Sequence, residues 1–337
     1  MAVAYVTHPA YVDHRTGRGH PERPERLHAV EAGAERAGLG EELVRVAPRA
    51  ASSADIERIH DPAYVAALER FCRAGGGFLD GDTPAVAASW DAAVLAAGSG
   101  LTAVEKLRES NGDLSAAFCA VRPPGHHARR SRAMGFCLFN NIAITAAALS
   151  AKGEHVMIVD IDAHHGNGTQ ESFYADPRVA YVSFHQHPLY PGTGALRETG
   201  QGDGRGLTVN LPLPPGSTGD VYRDGMAGVV GLLVEERSPD WLLVSAGFDG
   251  HRADPLTDLG LSAGDFADLT RDLVDLVPSG KLVLFLEGGY DMDALCASTA
   301  GTFAALAGET LHVERPTGHG PGRDVVQAAR TAHLHSR

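Results

Sequence analysis

One feature constrains the fold of this 337-residue chain most strongly: a short apolar run followed directly by a cluster of potential metal ligands. Val156–Val159 has the length and composition of a strand buried on both faces, and Asp160-Ile161-Asp162-Ala163-His164-His165-Gly166 follows it. Because side chains alternate along a strand, Asp160, Asp162 and His164 are expected to point to one side. Ligands bind at the carboxyl ends of strands in open α/β sheets, so the stretch indicates a metal site there. Asp and His also cluster in ordinary polar loops, so other segments of the sequence are needed to distinguish a metal site from such a loop.

Strands and helices alternate along the chain. Further strands are predicted for six segments: Val3–Thr7, Ala116–Val121, Val179–Phe184, Leu207–Asn210, Trp241–Ser245 and Lys281–Leu286. Helices are predicted for seven: Leu27–Ala37, Asp61–Arg73, Ala85–Arg108, Asn140–Ala151, Val221–Glu236, Asp265–Leu276 and Asp293–Ala307. This order predicts an α/β fold with a mostly parallel, doubly wound sheet and helices on both faces.

The length allows one large domain or two smaller ones. The sequence contains no internal repeat and no linker, which favours a single catalytic domain over residues 1–309. Residues 310–337 are polar and are expected to form a flexible tail. Its histidines (His319, His333 and His335) are expected to be solvated rather than bound to metal.

The charge and the cysteines limit the class of protein. A net charge of −13 argues against direct nucleic-acid binding and is compatible with cationic substrates. The four cysteines lack a Cys-x-x-Cys pair and indicate free thiols in a reducing cytoplasm. No apolar segment reaches the roughly 18 residues of a membrane span, so a cytoplasmic protein without membrane contact is expected.

Four predicted strands end in unusual polar sequences, which should meet on one rim of the sheet. Asp162, His164 and Asp249 make a plausible three-ligand set, and a catalytic zinc typically has three protein ligands and one open position. Two carboxylates make the set oxygen-rich, so Fe²⁺, Mn²⁺ or Co²⁺ are alternatives. Taken alone, Asp249 is equally consistent with a turn residue or a helix cap.

Two further strand ends carry candidate catalytic groups. His126-His127 follows the stiff Pro123-Pro124-Gly125 and offers a base for water and a second imidazole near the scissile amide. Tyr290 follows Gly288-Gly289, so its hydroxyl could point at an oxyanion. The alternatives are a chance histidine pair in a loop and a tyrosine with a buried ring.

The segments that carry these groups resemble the signature blocks of the zinc-dependent histone deacetylase superfamily. The blocks are Arg122-Pro123-Pro124-Gly125-His126-His127-Ala128, Gly135-Phe136-Cys137-Leu138-Phe139-Asn140-Asn141, Asp160–Gln170, Ser245-Ala246-Gly247-Phe248-Asp249 and Glu287-Gly288-Gly289-Tyr290. The resemblance covers roughly Val3 to Ala307. His20-Pro21-Glu22-Arg23-Pro24-Glu25-Arg26 and His164–Gln170 look most like class II deacetylases, acetylpolyamine amidohydrolases and bacterial histone deacetylase-like amidohydrolases.

The resemblance implies a single three-layer arginase–deacetylase domain that hydrolyses an N-acyl amide and releases acetate and an amine. The three candidate ligands would hold Zn²⁺. His127 would be the general base and then the general acid, and His126 would be its electrostatic partner, oriented by Asp160. Tyr290 would stabilise the oxyanion. Asn167 stands where class I enzymes carry Asp, so His127 should be held less strongly as imidazolium.

The resemblance also assigns the surroundings of this centre. The acyl-lysine channel would include Phe136, Tyr190, Gly135, Leu256 and Gly288. Tyr190 replaces the more usual Phe.

Two structural K⁺ sites are implied as well. The inner K⁺ site would involve Asp160, Asp162, His164, Ser183 and Phe184, and the outer one Phe173, Asp176 and Val179. Arg26 would lie near the acetate exit, or would form a surface salt bridge.

Three functions remain open at this point. The substrate would be acetylated lysine in a protein or peptide, or an acetylated polyamine, or the chain would bind acyl-lysine without turnover. Leu256 follows Asp254-Pro255 where the related polyamine-specific enzyme of animals has Glu, which favours acetyl-lysine. Bacterial polyamine enzymes narrow their channel by dimerisation, so that substrate and a homo-oligomer stay open. Tyr290 and all three ligands are present, which argues against an inactive relative.

Overall fold

The apolar runs form one parallel eight-stranded sheet in the computed structural model, which describes residues 1–335. The strands in chain order are β1 (Ala2–Val6), β2 (Leu43–Val46), β3 (Gly76–Phe78), β4 (Pro84–Val86), β5 (Leu114–Cys119), β6 (Val156–Asp160), β7 (Val179–Gln186), β8 (Thr208–Leu213), β9 (Trp241–Ala246) and β10 (Leu282–Leu286). The sheet order is β2-β1-β5-β10-β9-β6-β7-β8, and β3 and β4 form a separate antiparallel hairpin. The predicted α/β fold with a mostly parallel sheet is confirmed.

Eleven α-helices connect or follow the strands within residues 1–335. They are α1 (Glu25–Ala37), α2 (Ser53–Ile56), α3 (Pro62–Arg73), α4 (Ser89–Glu109), α5 (Asn141–Ser150), α6 (Asn167–Phe173), α7 (Gly219–Gly225), α8 (Gly231–Arg237), α9 (Ala263–Asp275), α10 (Met292–Leu306) and α11 (Arg323–His335). A π-helical turn at Met226–Val230 joins α7 to α8, where the sequence predicts one continuous helix.

Alternating side chains show that helices cover both faces of the sheet. On β5, Phe118 contacts Phe303 of α10, with ring centroids 4.8 Å apart. On β10, Phe285 packs against α4, since a Cβ built on Gly100 of that helix would lie 2.3 Å from the Phe285 ring. Since Phe285 pairs with Cys119, the neighbour of Phe118, the two aromatic rings lie on opposite faces. The result is a three-layer domain.

The sheet order brings the functional strand ends together. β5, β10, β9 and β6 are consecutive neighbours, all parallel, and every residue in them is buried. Their carboxyl ends therefore lie side by side on one rim. The four polar sequences that follow these strands are thus placed next to one another, as predicted.

The segment after residue 310 differs from the expected flexible tail. Helix α11 buries Val326, Ala329 and His333, whose spacing of three and four residues gives the helix one inward face. Glu314 and Thr317, which precede the helix, bond to the catalytic domain. The polar composition concealed this pattern. The segment is attached to the catalytic domain by a few buried side chains and by hydrogen bonds to residues distant in sequence, which composition does not indicate.

Other differences are local. The edge strand β2 and the β3–β4 hairpin escape prediction because each has only three or four residues and is partly exposed. All four cysteines are free, as expected, and three of them are buried. Among residues 1–335, the helices are too short or too polar to cross a bilayer.

The contact between α4 and the loop before α2 predicts a strong effect of one added methyl group. A Cβ at Gly98 would lie 1.9 Å from the carbonyl oxygen of Arg49. Gly98→Ala should therefore lower the free energy of unfolding by about 1–3 kcal/mol through overpacking, measured by denaturant titration. Gly228→Ala is the control, because no atom lies within 4 Å of a Cβ there. Equal stabilities of the two variants would contradict the packing.

Candidate active site

Asp162, His164 and Asp249 converge at the carboxyl ends of β6 and β9. One ligand atom from each lies within 4.8 Å of the others. The Nδ1 atom of His164 is 3.2 Å from Asp162 Oδ1 and 2.8 Å from Asp249 Oδ2. Both carboxylates are fully buried. The structure thus brings together all three predicted ligands, and Asp249 faces the cluster rather than acting only as a turn residue.

Backbone groups hold these carboxylates in place. The amide of Gly288 donates to Asp162 Oδ2 at 2.7 Å, and the amide of Ala163 donates to Asp249 Oδ1 at 2.9 Å. A Cβ on Gly247 would lie 2.0 Å from Asp162 Oδ2, so only glycine allows the backbone this close. The ligand oxygens are consequently fixed by backbone at the ends of β6, β9 and β10.

The electrostatics of the cluster call for a cation. Burial raises the pKa of Asp249, and the adjacent Asp162 carboxylate raises it further. Burial lowers the pKa of His164, but hydrogen bonds to Asp162 and Asp249 outweigh this and raise it to about 10. Two buried carboxylates beside one imidazole therefore favour a positive charge at their centre.

His126 and His127 lie beside the ligands with ring centroids 4.0 Å apart. His126 Nδ1 is 3.1 Å from Asp160 Oδ2, and His127 Nδ1 is 2.8 Å from Asn167 Oδ1. Both predicted pairings are present. Because an amide oxygen can only accept, His127 carries its proton on Nδ1 and leaves Nε2 free to accept one.

The two histidines have opposite environments. Burial alone would lower the pKa of His126, but the carboxylates of Asp160 and Asp162 outweigh it and raise that pKa to about 10. Burial lowers the pKa of His127 well below its usual value, and the rings of His126 and His164 lower it further. One imidazole is thus suited to carry a charge and the other to accept a proton.

A cavity of about 400 Å³ opens above these groups. Its lining includes four predicted channel residues, Gly135, Phe136, Tyr190 and Leu256, together with His127, His164 and Tyr290. The Phe136 and Tyr290 rings are 5.9 Å apart, and the Tyr190 ring is 5.2 Å from that of His127. A second cavity of about 650 Å³ lies behind Asn167 and contains none of the three ligands.

Gly288, predicted to line the channel, lies elsewhere. It packs against the ligands, and a Cβ there would be 2.3 Å from Asp249 Oδ2. Because it has no side chain, its backbone approaches both carboxylates closely and its amide donates to Asp162.

The approach of Phe136 to the cavity depends on an unusual turn. Gly135 and Phe136 both have left-handed backbones, with φ of 56° and 68°. A Cβ on Gly135 would be 2.5 Å from the His127 ring, so this position requires glycine. The amide of Phe136 donates to Thr83 Oγ1 at 3.1 Å, which offsets the strain of its own backbone.

Arg26 is fully buried, so the surface salt bridge considered for it is wrong. Its Nε donates to the carbonyl of Gly289 at 2.7 Å, and its guanidinium lies 5.0 Å from the centroid of the Tyr290 ring. Glu22, also fully buried, pairs with Arg26 and with Arg122. Arg26 thus braces the turn that carries Tyr290, and an acetate path beside it stays a prediction.

Several site residues were missed by sequence analysis. Glu287 is fully buried and accepts hydrogen bonds from the amides of Gly125 and His126 at 2.7 and 3.2 Å. Asp254 accepts from the amide of Tyr290 at 2.7 Å. The signal for Glu287 was its position directly after an apolar strand.

The mouth of the cavity contains further residues to which sequence analysis assigned no role in the site. They are His20, Pro21, Asp82 and Leu189. Asp82 lies in the turn of the β3–β4 hairpin, a short element that the sequence pattern does not indicate.

The residues predicted to bind K⁺ lie around β6 and β7. Asp160 and Ser183 are register partners on these strands, and Phe184 follows within β7. Phe173 ends α6 and Val179 begins β7, with Asp176 between them. Both K⁺ sites stay predictions.

Comparisons with known proteins agree with this geometry. Residues 20–306 match the histone deacetylase domain. The chain belongs to the histone deacetylase family. It is 40% identical to a probable deacetylase of Archaeoglobus fulgidus, over 94% of this chain and 89% of that protein. It is 37% identical to the chloroplastic histone deacetylase 10 of Oryza sativa subsp. japonica, over 99% of this chain and 81% of that protein.

A solved structure supports the fold of this histone deacetylase family member. The crystal structure of the HDA15 HD domain superposes with a TM-score of 0.91 and 34% identity, covering 99% of this chain and 94% of that one. The family domain includes every predicted site residue, whereas the docked segment after residue 310 lies beyond it.

The neutral amide of Asn167 beside His127 leads to a prediction of how kcat/KM depends on pH. Asn167→Asp would place a carboxylate beside His127 Nδ1, favour the imidazolium and raise the pKa of His127. A base must be neutral, so the acid limb of kcat/KM should move upward by about one pH unit or more. The measurement is a pH–rate profile, with the neutral Asn167→Ser as control. An acid limb that stays in place would contradict His127 as the base.

Proposed function

We propose that this protein is a zinc-dependent deacetylase that hydrolyses acetyl-lysine in proteins or peptides. One observation carries the proposal. The cavity of about 400 Å³ is lined by His127, His164 and Tyr290, and His164 contacts both buried carboxylates of the ligand cluster. A linear acyl amide that enters this cavity would reach a metal site, a base and a phenol together.

The donor set fits a catalytic divalent metal. It offers two carboxylate oxygens and one imidazole nitrogen and leaves a position for water or substrate. The raised pKa of Asp249 indicates a carboxylate that lacks enough positive charge around it. Zn²⁺ bound by Asp162, His164 and Asp249 would polarise the amide carbonyl and make water a better nucleophile. The set also suits Fe²⁺, Mn²⁺ or Co²⁺.

The histidine pair supplies the proton transfers. His127 Nε2 accepts a proton from the attacking water, since Nδ1 already donates to Asn167. His127 then returns the proton to the leaving amine nitrogen. His126, held by Asp160, stays charged and stabilises negative charge in the transition state. The low pKa of His127 and the high pKa of His126 support this division of roles.

Tyr290 stabilises the oxyanion. Burial raises the pKa of its hydroxyl well above the usual value, so the group stays protonated and can donate. Arg26 over its ring and Asp254 at its amide hold it in place.

The cavity walls favour a lysine side chain. Phe136, Tyr190, Leu189 and Leu256 line it and suit an aliphatic chain. Leu256 offers no charge to the second cation of a polyamine. Asp82 at the mouth could accept a hydrogen bond from a peptide amide. Its carboxylate could equally pair with the second ammonium of a polyamine, so acetylated polyamine is the second candidate substrate. The K⁺ sites around Asp160 and Ser183 would have a structural role.

Side-by-side kinetics test the proposed substrate. The zinc-loaded protein should show a higher kcat/KM on an acetyl-lysine peptide than on N-acetylated polyamines, because Leu256 cannot pair with a second ammonium. Chelation should remove the activity and added Zn²⁺ should restore it. His127→Ala is the control for contaminating enzymes. A preference for acetylpolyamines would reverse the choice of substrate, and binding without any turnover would leave only the acyl-lysine-binding module.

The role of Tyr290 predicts a defect in turnover. Tyr290→Phe removes one hydrogen bond to the transition state and should lower kcat by roughly 10²–10³ with little change in KM. Tyr64→Phe removes the hydroxyl of a tyrosine that bonds to the carbonyl of Leu138, outside the cavity lining, and is the matched control. Wild-type turnover by Tyr290→Phe would exclude the oxyanion role.

A further inference from the structure

The loop between β9 and α9 positions three parts of the site. It carries the ligand Asp249 near its start and includes Leu256 on the cavity wall. Its Asp254 accepts from the amides of Leu256 and Tyr290 at 3.0 and 2.7 Å. Movement of this loop would therefore displace a ligand, a wall residue and the oxyanion tyrosine together.

Glu314 ties the two ends of this loop to each other. At the start of the loop, His251 Nε2 and Arg252 Nη2 each lie 2.7 Å from one of its carboxylate oxygens. At the end, the amide of Ala263, the first residue of α9, donates to it at 2.9 Å. One side chain thus satisfies three donors from both sides of the loop.

The carboxylate is well suited to this position. Burial raises the pKa of Glu314, but the bonds from Ala263 and His251 outweigh this and lower it to about 2. An ionised acid at the N-terminus of α9 also interacts favourably with the helix dipole. Glu314 is therefore charged throughout the neutral range.

Neighbouring contacts anchor the segment that carries Glu314. Ser262 Oγ donates to the carbonyl of Arg315 at 2.8 Å, and Thr317 Oγ1 donates to Asp265 at 2.7 Å. A Cβ on Gly264 would lie 2.3 Å from the carbonyl oxygen of Glu314. The segment is packed closely against the start of α9, although it lies outside the matched family domain of residues 20–306.

We propose that Glu314 is a positioning residue for the active site, and that the segment after residue 310 is a working part of the catalytic unit. It acts by fixing the loop from Asp249 to Ser262, and it does not touch the substrate or the reacting atoms. Removing a group that bonds directly to a metal ligand typically costs about 10–100-fold in metal affinity. Glu314 acts on the ligand Asp249 through the backbone of the loop, so we expect an effect at the lower end of that range.

Glu314→Gln is the test, since it keeps the size of the side chain and removes its charge. Its zinc dissociation constant should rise about tenfold, measured by competition with a chelating dye. Amide exchange across residues 250–262 should accelerate in the same variant, measured by hydrogen–deuterium exchange. The value of kcat/KM should fall even at saturating zinc, because Leu256 and Tyr290 are also displaced.

Two matched variants separate positioning from general stability. Thr317→Val removes the hydroxyl bond from the same segment to Asp265 and leaves the bonds to Glu314 in place. The backbone amide of Thr317 still donates to Asp265, so the segment stays docked. Glu309→Gln changes an exposed acid earlier in the chain. Both should keep wild-type zinc affinity and loop exchange. If Thr317→Val weakens zinc binding as much as Glu314→Gln does, or if Glu314→Gln is folded and behaves as wild type, the positioning role is overturned.

The zinc measurement rests on the proposed function, whereas the exchange measurement does not. A protein that binds no zinc in any variant would refute the proposed metal site. Loop exchange would still report on Glu314 in that case, so the two failures are distinguishable.

Discussion

The placement of two fully buried carboxylates side by side is the constraint on which the rest of the site depends. Unpaired charges in a protein interior are strongly unfavourable, so Asp162 and Asp249 must be compensated. The backbone amides of Gly288 and Ala163 supply part of this compensation, and His164 lies between the two acids. The donors follow β10 and β6, and the acids follow β6 and β9. These three strands are consecutive in a parallel sheet, which brings their carboxyl ends to one rim. The fold and the ligand cluster therefore depend on each other.

The same rim explains how two adjacent histidines acquire different properties. His126 points towards the buried carboxylate of Asp160, whereas His127 bonds to the neutral amide of Asn167. A difference of one residue in sequence thus becomes a difference in charge environment, because the two rings in the loop after β5 bond to different partners. Glu287 fixes the backbone of this turn from β10. The proposed division of charge stabilisation and proton transfer between the two histidines therefore requires that Asp160 and Asn167 both stay in place.

The sequence predicts the buried rim better than it predicts the surface. Strands such as β6 are continuous apolar runs, and the polar residue that follows each run marks the site, as Asp249 and Tyr290 do. Contacts between distant loops leave no such local pattern. Arg122 pairs with Glu22 across 100 positions, and neither periodicity nor spacing indicates the contact. The docking of α11 was missed for a different reason, since its inward face has only three buried residues and its polar residues dominate its composition.

The division between rim and mouth has a consequence for substrate choice. The candidate catalytic groups are buried and bonded to the ends of central strands. The residues at the cavity mouth lie on loops, and two of them, Tyr190 and Leu256, are 40% and 37% exposed. Exposed loop residues tolerate substitution because they make few buried contacts. Changes at Leu256 or Asp82 can therefore alter which amine is accepted while Asp162, His127 and Tyr290 keep their geometry. Under the proposed function, residues at the mouth would decide between lysine side chains and polyamines, while the buried cluster would stay the same for both.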